Sequence, residues 1–551
     1  MANQVTDNRT LIADGTTVST WEDIGGTAGV VDNEISYDTY SGSIGEYATT
    51  TRAGTFFNNG ATGLFTSGDH AYVLFNSGIV SLLDLKANGG VTIRVTGATA
   101  TDWAEVNIAG SDDYPPAFDG GWVQFVVDID ELLANPDSTN GTPPTVGNIQ
   151  RFGITFVTAT VMPRMADNCW VGGLFRLPAN TPALIVEGRS GGTADWTLGL
   201  IASVAAVQLS AVLKPGPGGS YVCRGPIQFG INDTTTHAFN DSNATLLWDS
   251  QQVMLDGFYG LSALGNSGGT TNVTFGVKTG TGNDATGAQG GSIQAASGFA
   301  RWGLDFDDPD VDGINLYGAT FVHGGTFELD DPSVDIATVT MVDCSKAHFS
   351  NANVVRLNVV APNTADGVAF CDTDDLGDIA NSTFEFSDGH AIEVLSGGPA
   401  TQNNIGNIFL GSYGGTPGDN ATPSSGSTDA MIYNNSGAAK QFDRSGGGTQ
   451  PSFRNGASAT SDDNAAISLT FTPLIAGSDV SVFPAGGNDP GSNATDSSGT
   501  SFVASVNSGA SIDYKIYAKG YLPVEVFAVS FTASQNVLVN QQTDKDYDEV
   551  P

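Results

Sequence analysis

Between about residues 300 and 440, short alternating segments return every 20 to 24 residues, or at near multiples of that step, roughly the length of one solenoid rung. One set begins with Asp or Gly: Asp312-Gly-Ile-Asn-Leu316, Asp366-Gly-Val-Ala-Phe370, Asp388-Gly-His-Ala-Ile-Glu-Val394 and Asp429-Ala-Met-Ile-Tyr433. A second set interleaves with it: Gly318-Ala-Thr-Phe-Val322, Ala337-Thr-Val-Thr-Met341, Asn381-Ser-Thr-Phe-Glu-Phe386 and Asn404-Ile-Gly-Asn-Ile-Phe409. Three short strands and three turns need about this length to close one coil, and each coil buries its inward residues on the next. The period therefore predicts a right-handed parallel β-helix. The alternative is a large β-sandwich whose spacing is coincidental.

The flanks are patterned differently. Residues 1–180 alternate apolar and polar positions in Ala71–Phe75, Val91–Val95, Trp122–Val127 and Gly153–Val157, with turn residues between them, which predicts an antiparallel sandwich. Residues 181–445 carry the rungs, with Gly-rich interruptions such as Gly265–Asn272 and Lys278–Gly291. The stretch 446–460, rich in Gly, Ser and Asn, reads as a linker. Residues 461–551 alternate again in Ala466–Phe471, Val480–Phe483, Phe502–Val506 and Ile512–Tyr517, which predicts a small sandwich. The fold class expected is all-β throughout. The 71 Gly and only 14% charged residues agree, because that balance disfavours helices and favours strands with many tight turns.

The formal charge of −39 is spread along the chain, and no cluster of Lys or Arg exists to contact phosphates, so no nucleic-acid partner is expected. No apolar run approaches the ~18–20 residues of a membrane span, and the start, Met1–Gly15, has neither a basic nor an apolar signal-peptide region. No membrane partner is expected, and synthesis in a reducing cytoplasm is. Cys169, Cys223, Cys344 and Cys371 lack CxxC spacing and lie in apolar sequence, which predicts buried free thiols.

Three groups of residues bear on chemistry. Asp372, Asp374, Asp375 and Asp378, with Asp388 and His390 one rung later, could set two carboxyl groups within the ~5–10 Å that glycoside hydrolysis uses. The accompanying Arg-x-Lys of pectinase-like sites is absent, and turn-forming Asp explains the cluster more simply, so no catalytic residue is expected. Asp308, Asp310, Asp312 and Gly313 match the first half of a Ca²⁺ loop, but Ala319 stands where the closing bidentate Glu belongs. They form an incomplete Ca²⁺ candidate beside the reading of a solvated acidic turn. Trp103, Tyr114 and Trp122 are candidate glycan contacts, with a sandwich core as the alternative home for Trp. The five His show no metal-ligand spacing, so no zinc and no other cofactor is expected.

Several segments carry resemblances. Gly120–Asp128, Ile149–Ile154 and Cys169–Leu177 resemble jelly rolls of the carbohydrate-binding-module and concanavalin kind; Gly172-Gly173 stands where that family's last strand often has acidic residues. Gly509–Val524, with its Lys-Gly-Tyr-Leu-Pro turn, resembles the transthyretin-like or carboxypeptidase-regulatory sandwich. Together with the ending Val537–Tyr547, the domain order is similar to structural proteins of tailed bacteriophages: tailspikes, fibres and head-decoration proteins. The resemblance implies a virion protein that is not an enzyme, with other virion proteins and host-surface glycans as partners, assembled as a homotrimer. The alternative it leaves open is a polysaccharide depolymerase. Phe349, Val354 and Leu357 are the residues expected at subunit contacts.

Overall fold

The structure is a computed structural model that describes residues 4–14, 21–23, 30–32, 43–46, 52–76, 91–108, 122–157, 169–187, 196–204, 212–234, 236–248, 250–253, 258–265, 270–279, 287–295, 302–306, 308, 310–311, 313–329, 334–349, 353–355, 357–360, 371–385, 390–410, 420–421, 430–445, 451–464, 466–486, 494–497, 500–507, 511–531 and 534–545. The protein is all-β, and it divides into two compact units. One comprises 1–354 with 358–363, the other 355–357 with 364–551.

The first unit opens with a sandwich of two mainly antiparallel sheets. One sheet centres on Asp69–Asn76, flanked by Trp122–Asp128 and Cys169–Pro178; the other centres on Arg151–Val157, between Arg52–Asn58 and Val91–Thr96. Phe75 and Phe125 meet inside it, with ring centroids 5.8 Å apart. Every residue of Asp69–Asn76 and of Trp122–Asp128 is buried, although alternation predicts one wet face. The coil explains this, because its first rungs cover the second face. Tyr72 stacks on Tyr259, Gln124 Nε2 donates to the Arg224 carbonyl at 2.7 Å, and Arg9 donates to Gln124 Oε1 at 3.2 Å. Ser250–Val253 leaves the coil altogether and adds a parallel edge strand beside Trp122–Asp128. Gln4–Asp7 makes the reverse exchange by pairing antiparallel with Leu184–Glu187, the first strand of the coil.

From there the chain winds as a three-faced parallel coil. On the first face Leu184, Ile227, Leu261, Leu304, Phe327 and Ala347 stack in register, each fully buried. On the second, Leu246, Ile293, Phe321 and Met341 do the same; on the third, Phe239, Val273, Ile314 and Val334. The arrangement is self-reinforcing, because parallel pairing places inward residues directly above one another and removes apolar surface from water at about 25 cal/mol per Å². Steps between early rungs are longer than 20 residues because insertions leave the coil, among them the hairpin Val277–Thr279/Gly287–Gln289. Later rungs tighten to the expected period, so that His323 and Asp343 stand 20 residues apart on corresponding corners. Corners bend through left-handed residues: Gly318 and Thr338 at one edge, His323 and Asp343 at the next.

The second unit contains further rungs. Cys371–Thr373, Ile392–Val394, Ile432–Asn434 and Phe453–Asn455 stack on its first face; Thr401–Ile405, Ala439–Ser445 and Thr460–Asn464 stack on another. Buried amides fasten the corners. Asn407 donates to the Ile379 carbonyl at 2.8 Å and accepts from the Ser382 N–H at 3.0 Å. The chain then forms a sandwich around Leu469, Phe471, Val480, Val482 and Ile516, with seven strands among the described residues. Its Lys-Gly-Tyr-Leu-Pro turn, with Gly520 at φ 81°, holds the tail through the Leu522 N–H to Gln542 O and Asp544 N–H to Gly520 O bonds.

Two expectations are corrected. The stretch 446–460 is not simply a linker, because Phe453–Asn455 within it is a rung strand paired with Ile432–Asn434, and Phe453 is buried. Phe349, Val354 and Leu357 do not face outward, being 0%, 0% and 1% exposed inside their own chain. Alternation alone cannot say which of two neighbouring apolar positions points in, and here these three do. Of the four Cys, Cys223, Cys344 and Cys371 are buried free thiols; the side chain of Cys169 lies outside the described residues. Among the described residues no helix is long and apolar enough to cross a membrane.

Candidate functional site

Residues on a coil strand that are not inward point out, and parallel register stacks them into ladders on the surface. On the first face of the second unit the register partners are Asp372, Glu393, Tyr433 and Arg454, one per rung; Glu393 and Tyr433 are half-buried, whereas Asp372 and Arg454 are only 6% and 3% exposed. Paired strands lie about 4.8 Å apart, so the Asp372 and Glu393 carboxyl groups start from backbone positions at that spacing. Asn435 Nδ2 donates to Glu393 Oε1 at 2.7 Å and fixes that side chain. Gly456 leaves the room: a Cβ there would fall 2.4 Å from Asn435 Oδ1 and 3.2 Å from the Tyr433 hydroxyl.

His390 packs under this ladder. Its ring stacks on Tyr433 with centroids 4.8 Å apart and an interplanar angle of 23°. The Ala430 N–H donates to Nδ1 at 2.8 Å, which assigns the imidazole proton to Nε2. Burial, together with the Arg454 charge, lowers the His390 pKa to about 4, so the ring is neutral near pH 7. Burial and the neighbouring Glu393 raise the Tyr433 pKa, which keeps its hydroxyl protonated. The face thus offers the Glu393 carboxylate, the Tyr433 phenol and the Asn435 amide side by side, a set suited to hydrogen-bonding a hydroxyl-rich ligand.

Of the acidic residues singled out by sequence, only Asp372 belongs to this ladder. Asp375 caps a single 3₁₀ turn, its Oδ1 accepting from the Gly377 N–H at 2.8 Å, while Gln402 of the next rung bonds the Asp374 carbonyl and the Leu376 N–H. Asp378 closes the same turn. Asp388 lies outside the described residues, and His390 is 4% exposed with Nδ1 already engaged. Sequence reading missed Glu393, Tyr433 and Arg454. Glu393 lies within the quoted repeat that begins at Asp388, and its register with Asp372 was the available signal.

The other candidates separate. Asp308 Oδ1 accepts from the Asp310 N–H at 2.9 Å and Oδ2 from the Gly265 N–H at 3.2 Å; Asp310 is exposed and Asp312 lies outside the described residues. Among the described residues no three His, Cys, Asp or Glu side chains gather to hold a metal ion. Trp122 is a core residue, 6% exposed, packed on Gly172, where a Cβ would meet its ring at 2.8 Å. That contact gives Gly172 its purpose. Trp103 lies in the opposite sheet with the Arg94 guanidinium 4.0 Å over its ring, so Trp103 and Trp122 share no platform; Tyr114 lies outside the described residues.

No known family model and no curated protein matches the chain. Among solved structures, a family 11 carbohydrate-binding module from Clostridium thermocellum, in complex with a β-1,3-1,4-mixed-linked tetrasaccharide, aligns at 10% identity over 32% of this chain and 98% of that one, TM-score 0.22. An exo-β-agarase aligns at 8% identity over 32% of this chain and 26% of that one, TM-score 0.21. The agarase AgWH50C aligns at 8% over 37% and 31%, TM-score 0.21. The aligned region spans less than a third of either agarase, and at such scores the likenesses carry no argument.

Proposed function

We propose that this chain is a structural protein of a virus particle of the tailed-bacteriophage kind, carried at the particle surface as an appendage or decoration. The observation that supports the reading best is the coil's N-terminal closure. Gln4–Asp7 pairs with the first coil strand and Ser250–Val253 pairs with the sandwich, so the two folds fasten to each other. A stack whose first strand is already paired resists the edge-to-edge association that open coils invite, which suits a rigid extracellular scaffold. In this reading the partners are other virion proteins and further copies of the chain, with three copies the number taken from the resemblance. Ile408 and Leu410, 42% and 47% exposed on the strand Ile408–Leu410 of the second unit, replace Phe349, Val354 and Leu357 as the apolar residues offered to a neighbouring copy. Mass spectrometry of purified particles tests the assignment: the chain is expected in virions at structural stoichiometry, and its presence in lysate alone would refute it. Native mass spectrometry tests the trimer, which a persistent monomer at micromolar concentration would exclude.

A second reading has its own support, since Asp372 and Glu393 stand in register on adjacent rungs. Retaining glycosidases set two carboxyl groups about 5–5.5 Å apart, close to the strand spacing. In such an enzyme one carboxyl would protonate the leaving oxygen while the other attacks the sugar. Sizing host capsule or lipopolysaccharide after incubation decides between the readings. Shortened chains whose release is abolished by Asp372→Asn and by Glu393→Gln establish the depolymerase; intact polymer leaves a passive or binding role.

A further inference from the structure

Outside the ladder just described, the first unit holds a cavity of about 300 Å³ where the coil's first face meets the connection from the sandwich. We propose that this cavity is a binding site for a single uncharged hexopyranose unit.

Phe258 is the aromatic residue among its described lining residues. Phe258 lies over the strand Trp302–Asp305 at Gly303, where a Cβ would fall 2.7 Å from the Thr326 carbonyl oxygen and 3.1 Å from the ring. The Phe258 N–H donates to Asn180 Oδ1 at 3.1 Å, and Asn180 itself takes a left-handed φ of 55°, a conformation Asn tolerates better than most residues. Around the ring stand Asn180, Gln228, Ser262, Asp305 and Asp308. Three of them are consecutive outward partners of the first face, Gln228 to Ser262 to Asp305, so strand pairing sets their spacing. Asp308 is held by two backbone N–H groups, yet a carboxylate has lone pairs beyond those two bonds.

The chemistry selects a ligand class. An aromatic side chain beside closely set amide, hydroxyl and carboxylate groups matches a pyranose, which has an apolar C–H face and a rim of hydroxyl donors. The cavity is at the small end of ligand sites, about 300–1,000 Å³, and so takes one sugar unit rather than a chain. No Lys or Arg is among the described lining residues, and two are Asp, so uronic acids, sialic acids and phosphorylated sugars are rejected by like charge. The proposal does not depend on the virion assignment.

Titration of the full chain with methyl β-D-galactoside, methyl β-D-glucoside and N-acetyl-D-glucosamine, followed by saturation-transfer NMR and calorimetry, tests it. At least one of the three is expected to saturate at millimolar concentration, with D-galacturonate at least tenfold weaker. Phe258→Ala and Asp305→Asn should each weaken binding tenfold or more, Phe258→Tyr should retain it, and Glu525→Gln, at an exposed position of the other unit, should leave it unchanged. Unfolding curves of each variant guard against loss through misfolding. The proposal is overturned if none of the three sugars saturates, if Phe258→Ala binds as the parent does, or if galacturonate binds equally well. It is also overturned if Ca²⁺ alone binds in a manner that Asp305→Asn removes.

Discussion

Two ladders of register partners, one in each unit, are built by the same rule and offer different chemistry. In the first unit the partners are Gln228, Ser262, Asp305, Glu328 and His348, all half-buried, with an aromatic cavity beside the first three. In the second they are Asp372, Glu393, Tyr433 and Arg454, of which Asp372 and Arg454 are buried, with a buried neutral His underneath. The inward positions behind both rows are alike: Leu261, Leu304 and Phe327 in one, Cys371, Ile392 and Phe453 in the other. Parallel pairing therefore separates two tasks, because inward residues must satisfy stacking while outward residues are free to vary from rung to rung.

The sharpest way to break this comparison is from the inside. Phe327→Ala and Phe453→Ala each empty a fully packed coil position, and each is expected to cost about 3–5 kcal/mol in its own unit. Urea unfolding followed by hydrogen exchange, which reports the units separately, would show similar losses. A loss under 1 kcal/mol at either position would mean that the two interiors are not equivalent.

Acid should then distinguish the ladders. His390 is neutral when folded, with a pKa near 4 against the ordinary 6.5, so unfolding takes up a proton between those values. Its contribution is complete above about pH 6.5 and is lost as pH falls toward 4, by up to about 3 kcal/mol if the whole shift is realised. Stability of the second unit measured from pH 7 to 4 is expected to show this slope, and His390→Gln to flatten it. An unchanged slope in that variant would place acid sensitivity elsewhere.

Smaller effects probe the groups that fix the rows. Asn435→Ala removes the bond to an outward Glu393 and is expected to cost no more than about 1 kcal/mol, while weakening any ligand held by Glu393. Crystallographic order of the Glu393 side chain would report the change directly, and an unchanged rotamer would show that Asn435 does not position it. Thr338 takes φ 58° at a coil corner where its neighbouring rung has Gly318. Relief of β-branched strain in Thr338→Gly is expected to offset the chain entropy lost with glycine, leaving a net gain of at most about 1 kcal/mol. A destabilised variant would show that the corner is held by the Thr side chain rather than strained by it.

Sequence periodicity alone determined that this chain is all-β, that its middle winds as stacked rungs and that alternating segments flank it, because inward stacking imposes a period that survives in one dimension. The strands at Asp69–Asn76, Val91–Thr96, Trp122–Asp128 and Arg151–Val157 were legible for the same reason. Membership of a surface row was not. Glu393 stands above Asp372 but Tyr433 follows Glu393 only after an insertion, so rung steps are unequal and the row cannot be counted out along the chain. Nor could sequence show that Tyr72 and Gln124, which alternation places on a wet face, would be covered by Tyr259 and Arg224. Tyr259 and Arg224 lie a hundred or more residues along the chain from the residues they cover, and only tertiary packing, which joins the faces that water would otherwise occupy, decides such contacts.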